Sequence, residues 1–402
     1  MNYKTYPVSD LIDEIAMGPF GSNIKVDCFV DEGVPVLNGS NLDGFELSEK
    51  SFRYVTEEKA DSLKKANAYK GDVVITHRGT LGQIVYISQT AQRDRYVISQ
   101  SQFRVKCNEK VLPEYFVYYF HTPIGQHKLL SNASQVGVPA LARPSSTFQK
   151  IEIEIPDLET QKKVVKLIGS LQARIKTNSE INDNLEQQAQ TLFQKLFVEN
   201  VNFKWRKGTI SDLGTVVGGS TPSKSKPEYY TEHGIAWITP KDLSLNKSKF
   251  IAHGENDITE LGLKNSSASI MPEGTVLFSS RAPIGYIAIA AGEVTTNQGF
   301  KSVVPKAEIG TPFVYYFLKN ALPTIEGMAS GSTFKEVSGS TMKDVPALIP
   351  DSETLAKFNE FCGPLFGQQQ VLERQNQSLA ALRDSLLPKL MSGEIDVSDV
   401  SI

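Results

Sequence analysis

Cysteine is scarce in this 402-residue chain: Cys28, Cys107 and Cys362 are its only three, far apart in the sequence. Scattered thiols of this kind make neither a disulfide framework nor a zinc knuckle, and none of the five histidines falls at ligand spacing from them. Free thiols in a reducing compartment and no bound metal are expected. Long apolar runs are missing as well. No stretch of about 18 apolar residues could span a bilayer, and the opening MNYKTYPVSDLIDEIAMG lacks the apolar segment of a secretory signal. A cytoplasmic protein is the expectation. Signatures of catalysis are absent too: no DPPY or NPPF tetrapeptide, no glycine-rich loop for a methyl donor, no GxxxxGK[ST] phosphate loop, and no nucleophile motif. The chain is therefore expected to be no enzyme by itself and to bind no cofactor of its own.

An excess of positive charge is also lacking. With 42 Lys and Arg against 45 Asp and Glu, the net charge is −3, so any affinity for polyanions must rest on local asymmetry. Such asymmetry exists. From Tyr115 to Ile151 there is no Asp or Glu, while Lys128, Arg143, Lys150, His121 and His127 fall inside; Ser220 to Lys226 (STPSKSK) is also basic and small. Each stretch, alone, also reads as an ordinary solvated loop.

What is present, above all, is repetition, which must be settled before any local motif is read. GDVVITHRGTLGQIVYI (Gly71 to Ile87) faces GTVLFSSRAPIGYIAIA (Gly274 to Ala290), with Arg78 opposite Arg281 and Gly82 opposite Gly285. SQSQF (Ser99 to Phe103) faces TNQGF (Thr296 to Phe300), and FVYYF recurs at Phe116 and Phe313. PDLET at Pro156 then faces PDSET at Pro350, and LFQKLF at Leu192 faces LLPKLM at Leu386. Order is kept throughout, which identifies a duplication. Each copy opens with short β-type runs punctuated by Gly, Pro, Ser and Asn and closes with a stretch free of that character. The boundaries fall near Asp157, Asn200 and Asp351, giving segments 1–156, 157–199, 200–350, 351–393 and a tail, 394–402. VVITH with IVYIS, and VLFSS with YIAIA, read as strands flanking an Arg-containing turn. PEYFVYYFHT and TPFVYYFLKN read as short helices with Pro in the first turn and core-filling aromatics.

The two closing stretches carry a different period. Val164, Ile168, Leu171, Ile175, Asn178, Asn182, Leu185, Ala189, Leu192 and Leu196 follow 4,3,4,3 spacing, as do Phe358, Cys362, Leu365, Gln369, Leu372, Asn376, Leu379, Arg383, Leu386 and Leu390. That is the seam of a left-handed coiled coil, and its polar members can set register and partner, so the two helices are expected to pair with each other. A helix of about 40 residues is roughly 60 Å long, enough to hold two globular modules on DNA half-sites about 34 Å apart. Asp157 and Asp351 suit helix N-caps. That excludes a PD…ExK nuclease site, whose acids and Lys sit on neighbouring strands. Gly363-Pro364 and Gly367 predict a kink or break near Pro364, with continuous helix from about Gln368, and Pro388 is expected to loosen the last turn before Gly393.

On GPFGSNIK (Gly18 to Lys25), SSRAPIGY (Ser279 to Tyr286), TNQGF and LRDSLLPKLMSGEI (Leu382 to Ile395), the chain resembles the specificity subunit of Type I restriction-modification systems over essentially its whole length. The resemblance implies an α+β, pseudo-twofold architecture: two tandem α/β target-recognition domains separated by two long antiparallel coiled-coil helices. Each domain would read one half of a split double-stranded DNA target, and the helices would set the unread spacer and dock two modification (methyltransferase) subunits that methylate adenine. S-adenosylmethionine, and in the full complex ATP and Mg, would belong to those partners and to the motor-nuclease restriction subunits.

Base readout needs Arg for guanine, Asn or Gln for adenine, and Ser or Thr for either. In the first domain the candidates are Thr76, His77, Arg78, Arg93, Arg95, Gln100, Gln102, Ser134, Gln135, Arg143 and Ser145. In the second they are Thr221, Lys224, Lys226, Lys241, Ser279, Ser280, Arg281, Asn297, Gln298, Ser332, Thr333 and Lys335. The matched Arg78 and Arg281 read either as base-contacting groups or as arginines bonding carbonyls of a duplicated turn. Gly18, Gly21 and Gly82 serve backbone turns. The competing function is a non-catalytic coiled-coil scaffold whose duplicated β-rich domains bind proteins, told apart by salt: only DNA binding must weaken steeply as salt rises.

Overall fold

The computed structural model describes residues 3–397 apart from 20, 132, 135–137 and 332–334. It divides into two compact units, one formed by residues 1–173 with 379–402, the other by residues 174–378.

In the first unit a four-stranded antiparallel sheet has the order Ile12–Met17, Gln102–Cys107, Asp72–Thr76, Ile84–Tyr86. Its central strand, DVVIT, is buried along its whole length, which the side-chain alternation explains. Val73, Ile75 and Ile84 face one core beneath the helix Pro113–His121, while Val74, Val85 and Ile87 face a second core. A five-stranded sheet (Phe29–Val30, Arg53–Val55, Val34–Val36, Arg95–Val97, Asn67–Tyr69) completes this domain.

The second unit repeats the plan. Gly214–Gly218, Lys301–Pro305, Val276–Ser280 and Ile284–Ala290 stand in the same order, extended by the short parallel strand Phe250–Ile251. Val276, Phe278 and Ile289 enter the core beneath the helix Thr311–Met328, and Leu277, Ala288 and Ala290 enter the other. Gly82 and Gly285, matched in the sequence, both have left-handed φ, 89° and 96°, which a side chain would disfavour. The aromatic helices fill cores as expected: Tyr115, Phe116 and Phe120 are fully buried, as are Phe313 and Tyr316 to within 2%. The second of these helices outruns its expected length, continuing through Pro323 to Met328.

Two long helices, Leu158–Phe193 and Ser352–Ser392, follow the globular parts. Both open on aspartate caps: Thr160 N–H donates to Asp157 Oδ1 and Thr354 N–H to Asp351 Oδ1, each at 2.9 Å. These hydrogen bonds hold both carboxyls below the ordinary aspartate range. Every one of the seam positions predicted from the 4,3 spacing is buried or half-buried. Within the second unit Asn376 Nδ2 donates to the Ile175 carbonyl and Gln369 Nε2 to the Asn182 carbonyl, so residue numbers rise along one helix as they fall along the other. The pairing is antiparallel. Asn178 Nδ2 meets Asn376 Oδ1 at 2.9 Å in the same seam.

The expected break at Pro364 does not occur. The helix runs unbroken from Ser352 to Ser392, and Pro388 does not end it. Gly363, Pro364 and Gly367 all lie on the solvent side, so the carbonyl deprived of its N–H partner can be hydrated. Cys362, Phe366 and Leu372 on the opposite side are buried, and that apolar burial outweighs a proline cost of about 3 kcal/mol. The first long helix closes instead on a wide π-type turn, Gln194–Glu199, that places Phe197 against Phe313 and Phe358.

Candidate nucleic-acid interface

In both units a glycine loop lies in close backbone approach to the matched SQSQF and TNQGF segments. A Cβ on Gly18 would lie 1.9 Å from the Ser99 carbonyl oxygen, and in the second unit a Cβ on Gly219 would lie 2.0 Å from the Asn297 carbonyl oxygen. Both loops are therefore pressed onto the matched SQSQF and TNQGF segments, at positions where only glycine fits.

A cleft of about 640 Å³ opens along the first of these close approaches, lined by Asn23, Lys64, Lys65, His77, Arg78 and Gln100 beside the Gly18–Gly21 loop. No acidic side chain lines it among the described residues. His77 Nε2 donates to the Gln100 carbonyl at 3.1 Å, and burial lowers its pKa, favouring the neutral imidazole. Arg78 is exposed, bridged through its backbone to Ala140, and this brings the Val138–Arg143 segment alongside. Arg143 is exposed, with a left-handed φ of 46°, at the start of the helix Pro144–Gln149; Ser145 is half-buried within it. Ser134 and Arg93 are exposed, and Gln135 lies outside the described residues.

Other candidates are committed inward. Thr76 and Gln102 are buried, the first donating to Gln83 Oε1 and the second accepting from the Ser99 N–H. Arg95 is tied to Asn67, Glu57 and Asp61. Within the acid-free stretch, Lys128 donates to the Glu152 carbonyl and His121 to the Ile84 carbonyl, so part of that charge supports the fold.

In the second unit, Ser279 and Ser280 are fully buried and bond the Pro283 and Gly299 carbonyls, because their strand is covered on both faces. Half-buried polar groups gather around the exposed Gln298. Thr221 donates to its side chain, Lys301 Nζ reaches its carbonyl at 3.4 Å, and Asn297 accepts the Gly299 N–H. Arg281 lies 3.4 Å from Glu336, which also faces Lys301 at 3.9 Å. Burial pulls the Lys301 ammonium below its ordinary value, against the opposing effect of Glu336. Lys224, Lys226 and Lys335 are exposed; Lys241, also exposed, pairs with Glu255 at 2.5 Å. Ser332 and Thr333 lie outside the described residues.

Sequence reasoning missed Lys64, Lys65, Lys301 and Glu336. It missed Lys249 as well, a buried lysine that bonds Glu186 at 2.7 Å and Gln369 at 2.9 Å and stands 3.3 Å over the Phe366 ring. Lys64-Lys65 is a visible doublet, but a doublet beside acidic residues reads as solvated surface. Among the described residues no group of His, Cys, Asp or Glu is placed to hold a metal, and no helix is long and apolar enough to cross a membrane.

Comparison with known proteins agrees with this duplicated geometry. The family model for the Type I restriction modification DNA specificity domain matches residues 21–187 and again 202–382. The chain is 38% identical over 194 residues to the Type I restriction enzyme MjaIX specificity subunit of Methanocaldococcus jannaschii, a match spanning 46% of this chain and only 45% of that protein. With the Type I restriction enzyme HindI specificity subunit of Haemophilus influenzae it is 24% identical, over 81% of this chain and 87% of the relative. It shares its fold with the crystal structure of the Type-I restriction-modification system S subunit from M. genitalium: TM-score 0.59, 15% identity, 97% of this chain and 96% of the other covered. Matched once in each repeat, the chain belongs to the Type I restriction modification DNA specificity domain family, a family of non-catalytic specificity subunits.

Proposed function

We propose that this chain is the subunit that chooses the DNA target of a Type I restriction-modification complex, each globular domain reading one half of a bipartite sequence. The observation that carries this reading is the pair of family matches, 21–187 and 202–382, each falling on a domain with the same strand order and the same glycine-pinned loop. In this reading the paired helices separate the readers and receive two modification subunits. Those partners supply S-adenosylmethionine and adenine methylation, and motor-nuclease subunits with ATP and Mg supply cleavage, in the cytoplasm. The chain's own residues bind and orient DNA and perform no bond chemistry.

Co-expression with its cognate modification subunit in a methylation-free host, followed by genome-wide mapping of methylated adenines, tests the proposal. A single split motif with a fixed spacer is expected, and it should vanish when this chain is omitted. Methylation that persists unchanged without the chain, or that shows no split motif, overturns it.

A further inference from the structure

The 3-10 turn Lys64–Ala66 is held with unusual firmness for a surface turn that carries two lysines. Lys64 has a left-handed φ of 45°, a conformation that lysine disfavours and that persists only where surroundings impose it. Those surroundings are polar side chains buried beneath the turn. Asn67, 2% exposed, donates to the Lys64 carbonyl at 2.7 Å and to the Ala60 carbonyl at 2.8 Å. Arg104, 5% exposed, donates to the Lys65 carbonyl at 3.1 Å and is fixed in turn by Glu14 and Asp72. Above this foundation both lysine side chains are exposed and line the acid-free cleft with Arg78 and Gln100. Of the three acids of the preceding helix, Glu57 and Asp61 are both taken by Arg95, and Glu58 is exposed and pairs with neither lysine. Among the described residues no carboxylate pairs with either lysine, whereas Lys70 nearby is paired with Asp94 at 2.7 Å.

We infer that Lys64 and Lys65 form a preorganised clamp for the phosphate backbone of duplex DNA, positioning the duplex so that Arg78 and Gln100 reach base edges. The inference rests on the DNA-reading function proposed above and assigns the division of labour within its first reader. An ammonium group is a point charge suited to phosphate, and pairing with a phosphate carries no sequence information. A turn locked in advance gives up no further conformational freedom when the ligand arrives.

The test is equilibrium binding of the full chain to a labelled random-sequence duplex across a salt series. It compares the unaltered protein with Lys64→Ala/Lys65→Ala and with Lys162→Ala/Lys166→Ala, which removes equal charge from the first long helix. Each ammonium–phosphate pairing removed lowers the slope of log K against log salt by about 0.9, so the clamp variant should show a slope shallower by nearly 2. Its binding should weaken roughly 60-fold at about 0.1 M salt and converge with the unaltered protein near about 1 M. The helix variant should keep its slope. Circular dichroism and thermal melting verify that both variants are folded, as expected when the clamp lysines hold no carboxylate and Lys162 holds only the exposed Glu159. If the unaltered protein binds and the clamp variant keeps the same slope, or if the helix variant falls equally, the clamp is refuted while the DNA-reading function stands. If the unaltered protein binds no duplex at any salt, the function itself fails.

Discussion

At the residue scale, the two matched arginines are not equivalent. Arg78 is exposed over an acid-free cleft, whereas Arg281 faces Glu336. Arg78→Ala is expected to weaken binding by about 1 to 3 kcal/mol at a single base position of one half-site. Competition binding with single-base variants of the mapped target checks this, and equal weakening over all variants would instead assign Arg78 to a phosphate. If Arg281 reads a guanine it must leave or share Glu336, so Glu336→Gln should then alter base preference in the other half-site in the same competition assay. A second residue-scale prediction concerns Glu186. Burial raises its carboxyl, but the ammonium groups of Lys249 and Lys319 overcome that and hold it down from 4.5 to about 2. Because the folded value is depressed, its contribution is complete above about pH 4.5 and disappears as pH falls toward 2. The unaltered protein should be more stable than Glu186→Gln above about pH 4.5, and that gap should close progressively as pH falls toward 2. Denaturant unfolding of both proteins over a pH series reads this directly; a gap that is constant down to about pH 3 contradicts it. None of this was legible locally. Lys249 reads as an ordinary lysine because Glu186 and Gln369 reach it from distant parts of the chain, and Ser279-Ser280, read as the end of a strand with hydroxyls free for bases, lies in a strand covered on each side.

At the scale of elements, periodicity was the most transparent signal. A 4,3 repeat survives any sequence detail around it, and the residues it picks out are those the helices bury. Proline misled because propensity is a local preference, while the second helix is held by Cys362, Phe366 and Leu372 on its packed side. The polar layer of the seam carries its own prediction. Asn178 Oδ1 is buried without a partner among the described residues, although its Nδ2 bonds Asn376. Replacing both asparagines by leucine should raise stability by about 1 to 4 kcal/mol, since burying unsatisfied amide groups costs more than burying hydrocarbon. It should also weaken the preference for one register. Denaturant midpoints read the first effect; a double variant less stable than the parent would show that the asparagine pair is a net source of stability.

At the scale of the whole molecule, the duplication was legible because order is preserved even where identity is not, and one strand order serves both domains. The positive charge of the acid-free cleft was not legible from the net value of −3, since the cleft is assembled from segments far apart in sequence. If the paired helices act as a ruler, inserting one heptad at matched positions of both preserves the seam and adds about 10.5 Å, roughly three base pairs of spacer. Methylation mapping of that variant should return the same two half-sites farther apart. Unchanged spacing would remove the helices from that role.

The first core is finished by residues made long after the rest of it: Leu387, Leu390, Met391 and Val397 pack with Val73, Phe116 and Ile153, and Tyr3 donates to the Leu390 carbonyl at 2.9 Å. On the ribosome, then, residues 3–173 lack part of their core until residues 174–378 have been made and the last segment follows. Loss of the residues beyond 380 would therefore damage the domain built by residues 3–173.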